Sequence, residues 1–210
     1  MDELYQNTIN TWKQLSSVYH EKFKDIRLYD ASYEAFASRL QPNPSLLEIG
    51  CGPGTATHWL KNRLPHASIL ATDVASEMIE EAQKHVSDVH FQVLDAREVH
   101  TLNQPFDAIF SGFCIPYLAK NDLDQFIRSI STLLTKNGIL YLSCIEKNYD
   151  QSFTQTGSTG HKMSVFYYLE QNLLDLFEQH GLQHLETIRI DYPLSTGESD
   201  THLIVIASKK

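Results

Sequence analysis

The chain has 210 residues, 17 Lys and Arg against 26 Asp and Glu, a formal net charge of −9, and 42% hydrophobic residues. That length buries a core without covalent staples. The acidic balance argues against a nucleic-acid partner, because a phosphate backbone needs dense Lys and Arg.

Three cysteines, Cys51, Cys114 and Cys144, show no Cys-x-x-Cys spacing, which argues against a disulfide framework or a cysteine zinc site. Ten histidines are scattered, with neither His-x-His nor His-Glu-x-x-His among them, so no histidine is expected to ligate a metal. The first residues lack the basic-then-apolar order of a signal peptide. The longest apolar-rich stretch, Ile139 to Ile145, is too short to span a bilayer. The expectation is a cytoplasmic protein without a membrane partner, monomeric or homodimeric.

In chain order, Trp12, Leu15, Tyr19, Phe23 and Ile26 recur at spacings of three and four, which predicts an amphipathic helix within residues 1–40. Residues 45–210 then alternate short apolar runs with helical patterns. The predicted strands are Ser45–Ile49, Ser68–Thr72, Val89–Leu94, Phe106–Phe110, Gly138–Ile145, His184–Ile190 and His202–Ala207. Helical spacing fills Glu77–Ala82 and Leu123–Leu134, the latter with Asp122 as its cap and Asn137-Gly138 as its close. Gly181 is expected to end a further helix. Such alternation implies βαβ units and a doubly wound, mostly parallel sheet of the α/β class, with helices on both faces. Asp191–Asp200 holds Pro193 and Gly197 but no helical pattern, so it reads as a hairpin that turns one of the last two strands antiparallel. Tyr149–Met163 is polar and glycine-containing and reads as a long functional loop. No repeat or linker is visible, so residues 1–210 are expected to form a single domain.

The ends of the first four strands carry the suggestive residues. After the first comes Gly50-Cys51-Gly52-Pro53-Gly54, a turn with little side chain that leads into a helix beginning near Ala56. Glycine lets a ligand press against the main chain, and a helix start offers free N–H groups. After the second comes Asp73, placed to accept both hydroxyls of a ribose. After the third comes Asp95-Ala96, placed to read an adenine amino edge. After the fourth come Ser111, Gly112 and Phe113, two small residues and a ring that could stack on a ligand. A nicotinamide dinucleotide site, and hence an oxidoreductase, would want Gly-x-Gly-x-x-Gly, but Thr55 stands where the third glycine should be.

With Glu48 two residues before Gly50, this pattern resembles the class I S-adenosylmethionine-dependent methyltransferases, from Ser45 to the C-terminus. The resemblance implies a seven-stranded Rossmann-like sheet with a terminal hairpin strand. It implies S-adenosylmethionine as cofactor and S-adenosylhomocysteine as product. Gly50, Cys51, Gly52 and Gly54 would surround the methionine part, and Glu48 would order its amino group. Asp73 would hold the ribose, Val74 and Met78 would flank the adenine with Asp95 and Ala96, and Ser111 would lie near the sulfonium. The N-terminal helix, through Tyr19 and Lys22, would fold over the cleft as a lid.

The same resemblance narrows the acceptor. The Asp/Asn-Pro-Pro-Tyr tetrapeptide of amino-group enzymes is missing after the fourth strand, as are the Pro-Cys of cytosine-C5 enzymes and the paired glutamates of protein-arginine enzymes. Cys114 reads as a buried thiol, and Glu146, Asn148 and Asp150 as a solvated loop. A small-molecule acceptor remains, with Tyr117 and His161 as candidate catalytic residues and Tyr167 and Tyr168 nearby. A silent S-adenosylmethionine-binding or regulatory protein of the same fold is the alternative.

Overall fold

The computed structural model describes residues 3–156 and 162–210. In chain order the helices are α1 (Glu3–Phe23), α2 (Asp30–Ala37), α3 (Thr55–Arg63), α4 (Ser76–His85), α5 (Lys120–Leu133) and α6 (Glu170–Gln179). The strands are β1 (Ser45–Ile49), β2 (Ser68–Asp73), β3 (His90–Val93), β4 (Phe106–Ser111), β5 (Leu134–Ile145), β6 (Phe153–Thr156), β7 (Lys162–Val165), β8 (Leu182–Pro193) and β9 (Ser199–Lys209). Seven strands form one sheet in the order β3-β2-β1-β4-β5-β9-β8. The first five run parallel, and β9 pairs antiparallel with both β5 and β8. The expected doubly wound sheet with a terminal antiparallel strand is therefore present.

Successive residues of a strand point to opposite faces, and here both faces are covered. Leu47, Ile49, Ile109, Leu140 and Leu142 pack on one side with Phe126, Ile127 and Ile130 of α5 and with Leu173 and Phe177 of α6. Leu46, Phe110, Tyr141, Ile204 and Ile206 pack on the other with Phe36 of α2, Leu60 of α3 and Ile79 of α4. Burial on both faces explains why β1 and β4 read as near-continuous apolar runs. Tyr141 sits fully buried in this second layer, stacked on Phe110 at 4.2 Å, and its hydroxyl is satisfied by Ser32 Oγ at 3.0 Å.

Four local expectations change. The N-terminal pattern breaks at Phe23, before Ile26, and resumes as α2, which Phe36 docks on the sheet. Asp122 is not a cap: α5 begins at Lys120 after Ala119, and Asp122 instead accepts the Tyr5 hydroxyl of α1. Asn137-Gly138 does not close α5, because the chain passes directly into β5 at Leu134. The pair lies within that strand, where Asn137 has φ +61° and the register with β4 shifts. Of the polar tract after β5, the described residues form a 3-10 turn at 149–151 and two strands, β6 and β7, that pair antiparallel, where a long loop was expected.

Gly54 shows a close approach that the sequence pattern does not reveal. It precedes α3 with φ +86°, and a Cβ there would lie 3.0 Å from the Ala82 Cβ of α4. The tight contact seats the start of α3 against Ala82 and Val86 at the end of α4. Gly54→Ala should destabilise the fold by about 1–3 kcal/mol, from left-handed backbone strain plus overpacking. Urea denaturation checks this through a lowered midpoint at unchanged slope.

Candidate functional site

The glycine turn is pinned from beneath. Gly50 and Cys51 N–H groups both donate to the Thr72 carbonyl, at 2.8 and 2.9 Å. Asp73 then bridges the ends of the two strands: its Oδ2 accepts from Gly52 N and its Oδ1 from Ala75 N, each at 2.9 Å. A Cβ on Gly50 would meet the Cys114 Cβ at 2.8 Å, so the turn after β1 and the loop after β4 nearly touch. Above Gly52, by contrast, nothing lies within 4 Å of where a Cβ would be. The main chain there is bare toward the space above it.

Two carboxyl groups in this corner are perturbed. Burial pushes Asp73 up to about 6, against the opposing effect of its backbone hydrogen bonds. Glu48 is 1% exposed, its Oε2 has no hydrogen-bond partner, and burial with the nearby Asp73 charge pushes it up to about 8. A Thr57 hydrogen bond opposes that rise; a buried carboxyl oxygen without a partner is costly, and a cation placed beside it would relieve that cost.

A cavity of about 710 Å³ opens above the carboxyl ends of the strands. Ligands bind at this edge in doubly wound sheets, where the strand order reverses; here that point lies between β1 and β4. Tyr19, Glu48, Gly50, Cys51, Gly52, Asp73, Val74, Met78, Asp95, Ala96 and Tyr117 all line it. Gly54 and Ser111 are outside its wall. Gly54 packs on α4, and Ser111 is fully buried while Gly112 and Phe113 take the lining positions. His161 lies outside the described residues.

Several of these side chains are already engaged. Asp95 caps the 3-10 turn at 96–101 through Arg97 N and pairs with the Arg97 guanidinium at 2.5 Å. That guanidinium lies 3.9 Å from the Tyr5 ring centre, and the Tyr5 hydroxyl donates to Asp122 and accepts from Ala119 N at 3.0 Å. This chain of contacts ties the start of α1 to the loops after β3 and β4. Further along α1, Trp12 meets Tyr117 edge-on at 5.4 Å, and burial pushes the Tyr19 hydroxyl up to about 12. Burial likewise raises the Tyr117 phenol and pushes the Cys114 thiol up to about 12, so both stay protonated. Tyr167 lines the cavity, whereas the Tyr168 hydroxyl donates to the Leu118 carbonyl at 2.6 Å. Glu146 is held by Arg189 at 2.7 and 2.8 Å.

Sequence reasoning missed His202 and Tyr29. Because β9 runs antiparallel, its first residues reach the same edge as the ends of the parallel strands, and His202 pairs in register with Ile145 of β5 and Ile190 of β8. Its Nδ1 lies 2.7 Å from the Tyr29 hydroxyl. Its ring stacks on Tyr192 at 4.7 Å and meets Phe113 edge-on at 4.7 Å. Burial pushes the imidazole down to about 4, so it is neutral at physiological pH. The available signal was the expected antiparallel strand, whose first residue, His202, had to fall at the ligand edge. Tyr29 carried no signal.

Comparison with known proteins agrees with this geometry. Residues 46–138 match the family model for a methyltransferase domain. A malonyl-[acyl-carrier protein] O-methyltransferase of Magnetococcus marinus is 33% identical over 105 residues, covering 48% of this chain and 38% of that protein. One of the same description from Paenibacillus is 30% identical over 152 residues, covering 69% and 51%. The chain thus spans between about a third and a half of the curated relatives it matches. Among solved structures, Burkholderia thailandensis 1,6-didemethyltoxoflavin-N1-methyltransferase superimposes with a TM-score of 0.75 at 15% identity, over 100% of this chain and 92% of that one. That likeness is one of fold. Residues 46–138 thus match a methyltransferase domain, and the chain as a whole shares the fold of these methyltransferases. No helix among the described residues is long and apolar enough to cross a membrane.

The depressed His202 value has a consequence for stability. A group whose folded value lies below its unfolded one contributes fully above the unfolded value, and that contribution is lost as pH falls through the folded one. Stability linked to His202 should therefore decline from about pH 6.5 toward about pH 4. His202→Gln should show a smaller acid-side decline than the parent chain, measured by urea denaturation at the two ends of that interval.

Proposed function

We propose that this chain transfers a methyl group from S-adenosylmethionine to a small, planar aromatic acceptor. The observation that carries the donor half is the buried Glu48 carboxyl, whose Oε2 has no hydrogen-bond partner, beside the bare main chain of Gly52 and the Asp73 carboxylate. That set fits the donor's chemistry. Glu48 would face the α-ammonium group. Asp73 uses two of its roughly four lone-pair positions on backbone N–H groups and retains the others for ribose hydroxyls. Val74 and Met78 supply apolar surface for the adenine, with Asp95 and Ala96 at its edge. Bound there, S-adenosylmethionine supplies a methyl carried on a sulfonium, with a neutral leaving group. What remains for the protein is alignment and exclusion of water.

The other half of the cavity is aromatic. Trp12, Tyr29, Phe113, Tyr117 and Tyr192 offer flat faces, and Lys22 is the one cationic side chain among the described lining residues. Such a wall favours stacking of a planar ring over capture of a multiply anionic group. For that reason we favour an aromatic acceptor over the acyl-carrier substrate named for the relatives. Neutral His202, held by Tyr29, can position the acceptor atom through a hydrogen bond rather than serve as a base. Tyr117, protonated throughout, can donate a hydrogen bond to position the ring. The first segment of the chain, α1, acts as the lid that dries the cavity.

Calorimetry with S-adenosylhomocysteine tests the donor half, and release of that product from S-adenosylmethionine across a panel of small aromatic compounds tests the acceptor half. Binding without turnover on any of them would favour a silent binding protein; no binding at all would remove the proposal. Asp73→Ala should weaken S-adenosylhomocysteine binding more than about tenfold, since two charge-assisted hydrogen bonds are lost. A carboxyl raised to about 8 must release its proton to meet an ammonium group, so affinity should climb between about pH 6 and that value, by up to about tenfold per pH unit. Glu48→Gln should flatten that climb. Repeating the titration in buffers of different ionisation enthalpy counts the protons released.

A further inference from the structure

Between the last turns of α1 and α4 lies a cluster to which the proposed reaction gives no role. His20 of α1 stacks face to face on His85 of α4, with ring centres 3.9 Å apart and planes 4° from parallel. His85 Nε2 lies 3.1 Å from Glu81 Oε1, one turn back on the same helix. The three residues each offer one ligand atom, and those atoms all lie within 4.8 Å of one another. His20 Nδ1 is buried and has no hydrogen-bond partner. Two imidazoles and a carboxylate, converging from two helices with one buried nitrogen unsatisfied, form a donor set suited to a borderline cation.

We propose that His20, Glu81 and His85 bind a divalent transition-metal ion of the zinc type, and that this ion fastens α1 to α4 over the cavity. Three protein ligands leave one position of a tetrahedron for water. Ligand spacing around such an ion is about 3.3 Å, from metal–nitrogen bonds near 2 Å, so closing from 4.8 Å takes rotation of the side chains. The ion would act where it matters for ligand exchange. His20 adjoins Tyr19, and α4 carries Met78, both of which line the cavity. The two helices already pack against each other here, and the polar contact between them is the 3.9 Å Lys13–Glu77 pair beside the ring stack. Exposed pairs of that kind contribute little.

Binding needs neutral imidazoles and competes with protons. Burial and the facing His85 lower the His20 value, while Glu81 of α4 and Glu21 of its own helix oppose that and Lys24 adds to it. Lys84 holds the second Glu81 oxygen at 2.7 Å and would compete mildly for it. Sequence spacing led to the expectation of no histidine ligand, because the set is split between residues 20 and 81–85 and follows no linear motif.

The test is titration of the full chain, free of affinity tag, with Zn2+ against a chromophoric chelator at neutral pH and with Co2+ for its visible absorption. The expected result is one equivalent, with a Co2+ band that His20→Ala and His85→Ala each abolish and a Zn2+ affinity that each lowers by more than about tenfold. His85 is exposed, so its substitution should leave the fold intact, which an unchanged far-ultraviolet circular dichroism spectrum in the presence of chelator would verify. No saturable binding by the parent chain, or equal affinity in both variants, would overturn the site. The lid effect rests on the donor-binding reading, whereas metal binding does not, so the two fail separately. Zn2+ should slow S-adenosylhomocysteine dissociation, followed by intrinsic tryptophan fluorescence, more than about threefold in the parent chain only. Metal binding with unchanged dissociation would overturn the fastening role.

Discussion

The Asp73 carboxylate joining Gly52 N to Ala75 N is the contact on which the rest of the site depends. It bolts the turn after β1 to the end of β2, and it does so beside the reversal in strand order between β1 and β4. The same carboxylate adds to the raised Glu48 value, leaving that buried acid poised between neutral and charged. With the turn held down, Gly50 can approach Cys114 and Gly54 can approach Ala82 at distances that no side chain would allow. One carboxylate thus holds the backbone of the glycine turn and raises the buried acid beside it.

The two ends of the cavity use different physics. Around β1, β2 and β3 the features are carboxyl groups and exposed main chain, suited to a cationic, hydroxyl-bearing ligand. Around β4, β5 and β9 they are aromatic faces with one neutral imidazole. Antiparallel β9 makes this asymmetry possible, because it delivers the start of a strand to an edge otherwise built from strand ends. Over both ends lies α1, held at its first turns by Tyr5, Arg97 and Asp122 and at its far end by the stack of His20 on His85.

Much of the fold was legible because it depends on periodicity. Two-sided apolar runs such as Ser45–Ile49 and Phe106–Phe110 lie in strands within a residue of their expected bounds. The cavity lining around Gly50, Asp73 and Asp95 was legible for a related reason: those residues lie in short segments just after strands, where order along the chain follows the sheet edge. Expectations failed where distant contacts intervened. Asp122 turned from a cap into a partner of Tyr5, 117 residues away. Asn137-Gly138 became a kink within β5 because β4 beside it extends the strand.

By itself, the sequence determined the alternating α/β architecture, the glycine turn with Glu48 before it, and the acidic residues at successive strand ends. These are local patterns, and local sterics and hydrophobic period suffice to specify them. Only the tertiary structure decided that Tyr29 meets His202 across 173 residues, that Gly54 serves helix packing, and that His20 faces Glu81 and His85. Such pairs arise from packing of whole elements, whose relative placement depends on the total area buried by the core and not on any single stretch of residues.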